Sequence, residues 1–288
     1  MGDTHLAVDV SFHGVRGSTP CSCPTIQRYG GNTSCVSIEA DGHDPIVFDL
    51  GTGLRPWGCS MPPGDPVTLH ALVTHLHWDH IQGLPFFTPL QSPETRFNVY
   101  GPGDGDLTMA DTFAQFMSPP FFPITSDLLP AEVAFHDAHH DDFVIDGTEI
   151  MSRPVPHCGK TNGYRVTRNG VSVAYIPDHQ EPIGNPTHVD PAVLELCADA
   201  DLLIHDAQFW QDELPAKADW GHCTPEYALE VAAQAGVKHL VLFHHDPSHS
   251  DEDLDEMTER IAAAGTARGL RSVTCATEGL KLSVSALG

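Results

Sequence analysis

Thr74-His75-Leu76-His77-Trp78-Asp79-His80 sets three imidazoles and a carboxylate within six residues, directly after the apolar run 67–73. The segment therefore starts where a strand ends and a loop begins. Alternate side chains of an extended chain share a face, which puts His75, His77 and Asp79 on one side. A turn at Asp79 then brings His80 in from another direction. Leu76, Trp78 and Ile81 are apolar, so the segment does not read as a solvated polar loop. Burying such imidazoles and a carboxylate is costly unless something binds them. Neutral imidazole and carboxylate are ordinary zinc ligands.

Outward from this segment, short Val- and Ile-rich runs alternate with turn signals. Residues 6–12, 35–39, 46–50 and 67–73 read as strands, as do 202–205 and 239–243. Asn169-Gly170 between 163–167 and 171–176 marks a hairpin, because both turn residues tolerate positive φ. Residues 107–117 and 192–196 read as helical. Two later helices carry clear punctuation. Thr224 caps the first, with Pro225 in its first turn and Gly236 at its end. Ser250 caps the second, followed by acidic residues that match the helix dipole, and Gly265 is expected to stop it. The Pro-rich stretch 117–130 reads as a surface loop with exposed aromatics that borders a pocket. Strands followed by helices in both halves predict sheet layers flanked by helices.

The chain has 288 residues, enough for a substantial core, and 14 basic against 39 acidic side chains give a formal charge of −25. So negative a surface repels phosphate backbones and anionic membranes. No apolar run approaches the roughly 18 residues of a membrane span. Residues 1–6 lack the features of a signal peptide, so a soluble, cytoplasmic protein is expected. The 8 cysteines show no C-x-x-C pairing and read as reduced, mostly buried thiols. The 19 histidines are the unusual count, and their spacing carries the chemistry.

The H-x-H-x-D-H pattern after an apolar strand resembles the metallo-β-lactamase superfamily of metallohydrolases, and the likeness extends from about Phe12 to His249. Gly30-Gly31-Asn32-Thr33-Ser34-Cys35 and Phe48-Asp49-Leu50-Gly51-Thr52-Gly53 are similar to early elements of its phosphodiesterase branch. Pro156-His157 resembles the family's third histidine, and Asp178, closing Tyr175-Ile176-Pro177-Asp178, its metal-bridging aspartate. His205-Asp206-Ala207 and Gly221-His222-Cys223-Thr224 are similar to elements of ribonuclease Z-like members, with Asp for Glu and Cys for Ser. Leu242-Phe243-His244 resembles the last ligand strand. The resemblance implies an α/β four-layer αβ/βα sandwich, one domain over 1–288 built from two similar halves. It implies two divalent metal ions, zinc first with manganese or iron as alternatives. His75, His77 and His157 would hold one, Asp79, His80 and His244 the other, with Asp178 between them. His245 stands beside His244 as its alternative. His222 is the candidate proton donor and Asp206 its orienting partner. His136, His139, His140, His179, His188 and His249 are expected on the solvated surface. Arg16 and Asn32 can reach an anion or merely satisfy turns.

These readings predict a dinuclear hydrolase, a phosphodiesterase acting on a small phosphodiester, cyclic esters included, through a metal-bridging hydroxide. The acidic surface and a lysine complement of only Lys160, Lys217, Lys238 and Lys281 favour a small substrate over nucleic acid. A ribonuclease Z-like tRNA 3′-end endonuclease is the alternative, followed by hydrolases of thioesters, lactones or β-lactams. A metal-containing nucleotide-binding module without turnover is the reading from another class. Loop 117–130 is the candidate surface for a homodimer.

Overall fold

The structure is a computed structural model that describes residues 7–62 and 66–285. Leu6, expected to open the first strand, and the other residues of 1–6 lie outside this range. The first sheet is built mainly by the N-terminal half: β1 (Val8–Gly14), β2 (Cys35–Glu39), β3 (Ile46–Phe48), α1 (Leu54–Ser60), β4 (Val67–Leu72), α2 (Trp78–Ile81), β5 (Thr95–Gly101), α3 (Met109–Phe116) and β6 (Glu132–Asp137). The second half follows with β7 (Asp142–Ile145), β8 (Thr148–Pro154), β9 (Asn162–Arg168), β10 (Val171–Ile176), α4 (Pro191–Cys197), β11 (Leu202–Asp206), α5 (Pro225–Gln234), β12 (His239–Phe243), α6 (Asp251–Ala267), β13 (Ser272–Cys275) and β14 (Lys281–Val284).

The strands form two seven-stranded sheets, ordered β14-β1-β2-β3-β4-β5-β6 and β13-β12-β11-β10-β9-β8-β7. From β14 to β3 every neighbouring pair is antiparallel, and from β3 to β6 every pair is parallel. The second sheet repeats this pattern, antiparallel from β7 to β10 and parallel from β10 to β13. β14 completes the likeness by returning to the first sheet. Buried side chains of both sheets meet in one apolar cluster, in which Phe48 stacks on Tyr175 at 4.5 Å and Phe243 meets Phe12 at 6.2 Å. α1 and α3 cover the outer face of the first sheet, and α4, α5 and α6 that of the second. The result is the expected αβ/βα layering.

Local predictions differ from the structure at identifiable points. Asn169 and Gly170 have φ of 55° and 77°, as the hairpin requires. Thr224 and Ser250 cap α5 and α6 with their side chains. Gly265 does not stop α6. The helix continues to Ala267, and a Cβ at position 265 would lie 2.5 Å from Val273 Cγ2, so this glycine permits close packing on β13. The chain turns instead at Gly269, whose φ is +94°. In 117–130, Phe121 is exposed, but Phe122 packs on Phe86 and Met117 is buried, so the segment is partly folded back. Of the cysteines, Cys35, Cys197, Cys223 and Cys275 are buried, whereas Cys59 and Cys158 are exposed. Among the described residues, no helix is long and apolar enough to cross a membrane.

Candidate metal centre

The carboxyl ends of parallel strands are where crossovers leave a crevice for ligands. The segments after β4, β10, β11 and β12 converge there. His75 follows β4 in extended backbone, with His77 two residues on. A helical turn then begins at Trp78, which breaks the alternation. Asp79 therefore parts from His75 and His77 and joins His80 instead. The ligand atoms of His75, His77, His157 and Asp178 all lie within 4.8 Å of one another, and so do those of Asp79, His80 and His244.

Within the first set, His75 Nε2 is 2.8 Å from His77 Nδ1, and His157 Nε2 is 3.4 Å from that same atom. Within the second, Asp79 Oδ2 lies 3.3 Å from His80 Nε2 and 3.1 Å from His244 Nε2. Asp178 faces both sets. Its Oδ2 is 3.8 Å from His75 and 3.6 Å from His157, while its Oδ1 is 3.1 Å from His80 and 3.4 Å from His244. Yet Asp178 Oδ1, fully buried, accepts no hydrogen bond. An orphaned carboxylate oxygen ringed by imidazole nitrogens is the donor chemistry of a divalent metal site, so the residues fit such ions.

The protonation pattern agrees at His75, His77, His157, Asp79 and Asp178, and His80 is the exception. Burial, reinforced by the neighbouring His80, holds His75 well below the usual imidazole range, and burial lowers His77 and His157 as well. Burial opposes ionisation of Asp79 and Asp178, but the surrounding histidines outweigh it and hold both well below the usual carboxylate range. Burial also works against a charged His80, but Asp178, Asp79 and Asp49 together push it well above. Neutral imidazoles and ionised carboxylates are the forms that bind metal.

Supporting groups fix these rings, and the sequence reading did not assign them. Asp49 Oδ2 lies 2.8 Å from His80 Nδ1, and Tyr175 donates its hydroxyl to the same oxygen at 2.9 Å. Asp49 Oδ1 accepts the backbone N–H of Thr74 at 2.8 Å. Gln208 Oε1 is 2.8 Å from His244 Nδ1, and Ser18 donates its backbone N–H to Asp79 at 2.7 Å. The carbonyl of Gly221 lies 2.6 Å from His157 Nδ1. In the sequence, Asp49 is marked by its place in Phe48-Asp49-Leu50-Gly51, at the end of a buried strand.

His222 Nδ1 is 2.9 Å from Asp206 Oδ2, and Asp206 also accepts the backbone N–H groups of His179 and Gln208. Burial pushes Asp206 well above the usual carboxylate range and lowers His222. His245 turns away, its Nε2 3.0 Å from the carbonyl of Ala276, which leaves His244 in the cluster. Two histidines expected on the surface are buried. His179 packs against His205 with 3.0 Å between ring nitrogens, and His249 lies 3.0 Å from Glu213. Both sit in segments drawn inward by the site strands. His136, His140 and His188 are exposed and His139 is half-buried. Arg16 is fully buried and donates to the carbonyls of Gly30, Asp246 and His249, and Asn32 donates to Glu278, so both serve structure.

An open cleft of about 490 Å³ lies over these residues and is lined by Ser18, Leu76, His77, Trp78, Asp79, Asp178, Trp220 and His222. The loop 117–130, expected to border a pocket, does not line it.

A family profile described as "Beta-lactamase superfamily domain" matches residues 47–245. A ribonuclease Z of Natronomonas pharaonis is 26% identical over 302 aligned positions, spanning 87% of this chain and 93% of that protein. Among solved structures, the metallo-beta-lactamase fold protein YhfI from Bacillus subtilis superposes with a TM-score of 0.71 at 18% identity, over 96% of this chain and 99% of its own. A diphosphatase from the PhnP family superposes at 0.69 with 21% identity, over 96% and 97%.

Proposed function

This chain belongs to the beta-lactamase superfamily and is a metal-dependent hydrolase; on that premise we propose that it is a dinuclear phosphodiesterase acting on a small phosphodiester. The observation that carries the reading is Asp178, one carboxylate whose two oxygens face two separate ligand sets. We take 1–288 as a single catalytic unit, zinc as the metal from its imidazole and carboxylate donors, and the cytoplasm as its site of action.

In this reading His75, His77 and His157 would hold one ion and Asp79, His80 and His244 the other, with Asp178 a candidate ligand to both. When bound, such ions supply an activated water and neutralise charge gathering on the phosphoryl oxygens. The chain's own groups do the rest. Asp49, Gln208 and Gly221 keep the ring nitrogens aimed inward through the contacts on their opposite edges. His222 lines the cleft, with Asp206 behind its Nδ1, and delivers a proton to the departing alkoxide from Nε2. Phe209 meets the His222 ring edge-on at 5.6 Å and limits its tilt.

The Natronomonas relative favours a second reading, endonucleolytic processing of precursor tRNA, since the alignment spans most of both chains. The charge of −25 weighs against so large an anion. The test is a turnover panel of bis-p-nitrophenyl phosphate, cyclic nucleotides and precursor tRNA, with elemental analysis on the same sample. Two metal equivalents and diester hydrolysis abolished by chelation are expected, with at least about a hundredfold loss of kcat in Asp178→Ala. Normal turnover and metal content in that variant would defeat the proposal.

A further inference from the structure

We propose that the cleft recognises a nucleobase beside the scissile phosphate, held against Trp78 and Trp220, so that the substrate class is a nucleoside phosphodiester. The inference rests on the phosphodiesterase reading and narrows its substrate. Both indoles line the same cleft as His77, Asp79, Asp178 and His222. They are nonetheless 73% and 58% exposed. Tryptophan is ordinarily a well-buried side chain, so two left open around a cluster of ligating groups form apolar surface that awaits a partner.

Their attachment sets their placement. Trp78 immediately precedes Asp79, and Trp220 lies two residues before His222, so the aromatic surfaces come from the metal loop and from the loop of the candidate proton donor. Trp220 is braced from behind. Phe209 meets it edge-on at 6.3 Å, Lys217 Nζ lies 5.9 Å from its ring centre, and its backbone N–H donates to the carbonyl of Lys217 at 3.0 Å. A braced indole offers a flat face at little entropic cost. The volume of about 490 Å³ falls within the range of small-molecule sites and admits a mononucleotide. Stacking also suits a chain of charge −25, because a planar base adds affinity without adding negative charge. Loss of one base–aromatic stack costs about 1–3 kcal/mol, or roughly a 5- to 150-fold change in affinity.

A nucleobase at this position can belong to a cyclic mononucleotide or to the nucleotide flanking the cut in an RNA. The experiment separates these sources. Metal-loaded full-length protein is titrated with adenosine 5′-monophosphate and with ribose 5-phosphate while tryptophan emission is followed. Turnover is then measured on 3′,5′-cyclic AMP, its abasic counterpart and precursor tRNA. Quenching by the nucleotide alone is expected, with kcat/KM at least about tenfold higher for cyclic AMP than for the abasic ester. Trp220→Ala should raise Kd and KM about five- to thirtyfold, mainly in KM rather than kcat, and Trp220→Phe should restore most of that loss. Trp78→Ala, with its metal content measured, should act in the same direction. Preferred cleavage of tRNA with the same Trp220 dependence would support the stacking site and assign its base to RNA. Equal handling of the abasic ester, or unchanged nucleotide affinity in both alanine variants, would overturn it. If no phosphodiester is turned over, the phosphodiesterase reading fails, while the emission titration still decides whether the indoles bind a base.

Discussion

Asp49 does not line the cleft, yet three residues converge on its carboxylate. It faces His80 Nδ1, receives the Tyr175 hydroxyl and accepts from Thr74, all in full burial. A carboxylate behind a ligand imidazole fixes the tautomer that presents Nε2 inward and raises that nitrogen's basicity. Asp49 itself holds φ of 56°, an uncommon conformation outside glycine, and the network is what sustains it. Asp49→Asn keeps the shape but replaces one accepting oxygen with a donor that confronts a ring N–H or the Tyr175 hydroxyl. Metal affinity, read by competition with a chromogenic chelator, should fall about 10- to 100-fold while the far-ultraviolet circular dichroism stays native. Unchanged affinity would show that the carboxylate does not tune His80. The candidate ligands were legible as residues because their spacing is local, or because each follows an apolar run. Asp49, Gln208 and Ser18 were not assigned, since their roles arise only when distant loops close on one another.

Elements were legible to the degree that their signals were local. β10 is buried at every position, and such continuous apolar runs mark the strands of a covered sheet. The β9–β10 hairpin and both capped helices followed from turn and cap chemistry. β5, β6 and β13 passed unassigned because polar residues interrupt them, and edge strands such as β6 and β13 need only one partner. Gly265 shows how a correct local rule can lose to packing. Read alone, a glycine late in a helix is a stop signal, and its replacement by alanine inside the helix gains up to about 1 kcal/mol. Here the added Cβ would meet Val273 at 2.5 Å, and valine has little χ1 freedom with which to retreat. Overpacking of this kind costs about 1–3 kcal/mol, so the clash outweighs the propensity. Gly265→Ala should lower Tm by about 2–5 °C in differential scanning calorimetry. A rise in Tm would mean that β13 yields and that helix propensity decides.

Across the whole molecule, the two sheets repeat one pattern, and the candidate centre lies where their parallel-strand ends meet. That arrangement draws candidate ligands from both halves, so the site depends on the sheets staying packed. Acidification tests this packing through histidines outside the candidate ligand sets. Burial, with a smaller contribution from Lys281, lowers His13 to about 4, and burial lowers His205 to about 4. Both values lie below the unfolded value of about 6.5, so each ring is held neutral in the native state. Their stabilisation is therefore complete above about pH 6.5 and is lost as pH falls toward 4. A shift of this size is worth on the order of 3 kcal/mol for one such histidine over the full titration. His13 offers the cleaner test, because its Nε2 meets Ser37 Oγ at 2.8 Å and its ring stacks on Trp57, away from the ligand cluster. Urea unfolding in excess chelator at pH 7.5 and pH 4.5 compares the chain with His13→Gln. The unaltered protein should lose about 2–3 kcal/mol more stability than the variant between these pH values. Equal losses would place His13 in water in the native state and would move the acid sensitivity to other groups.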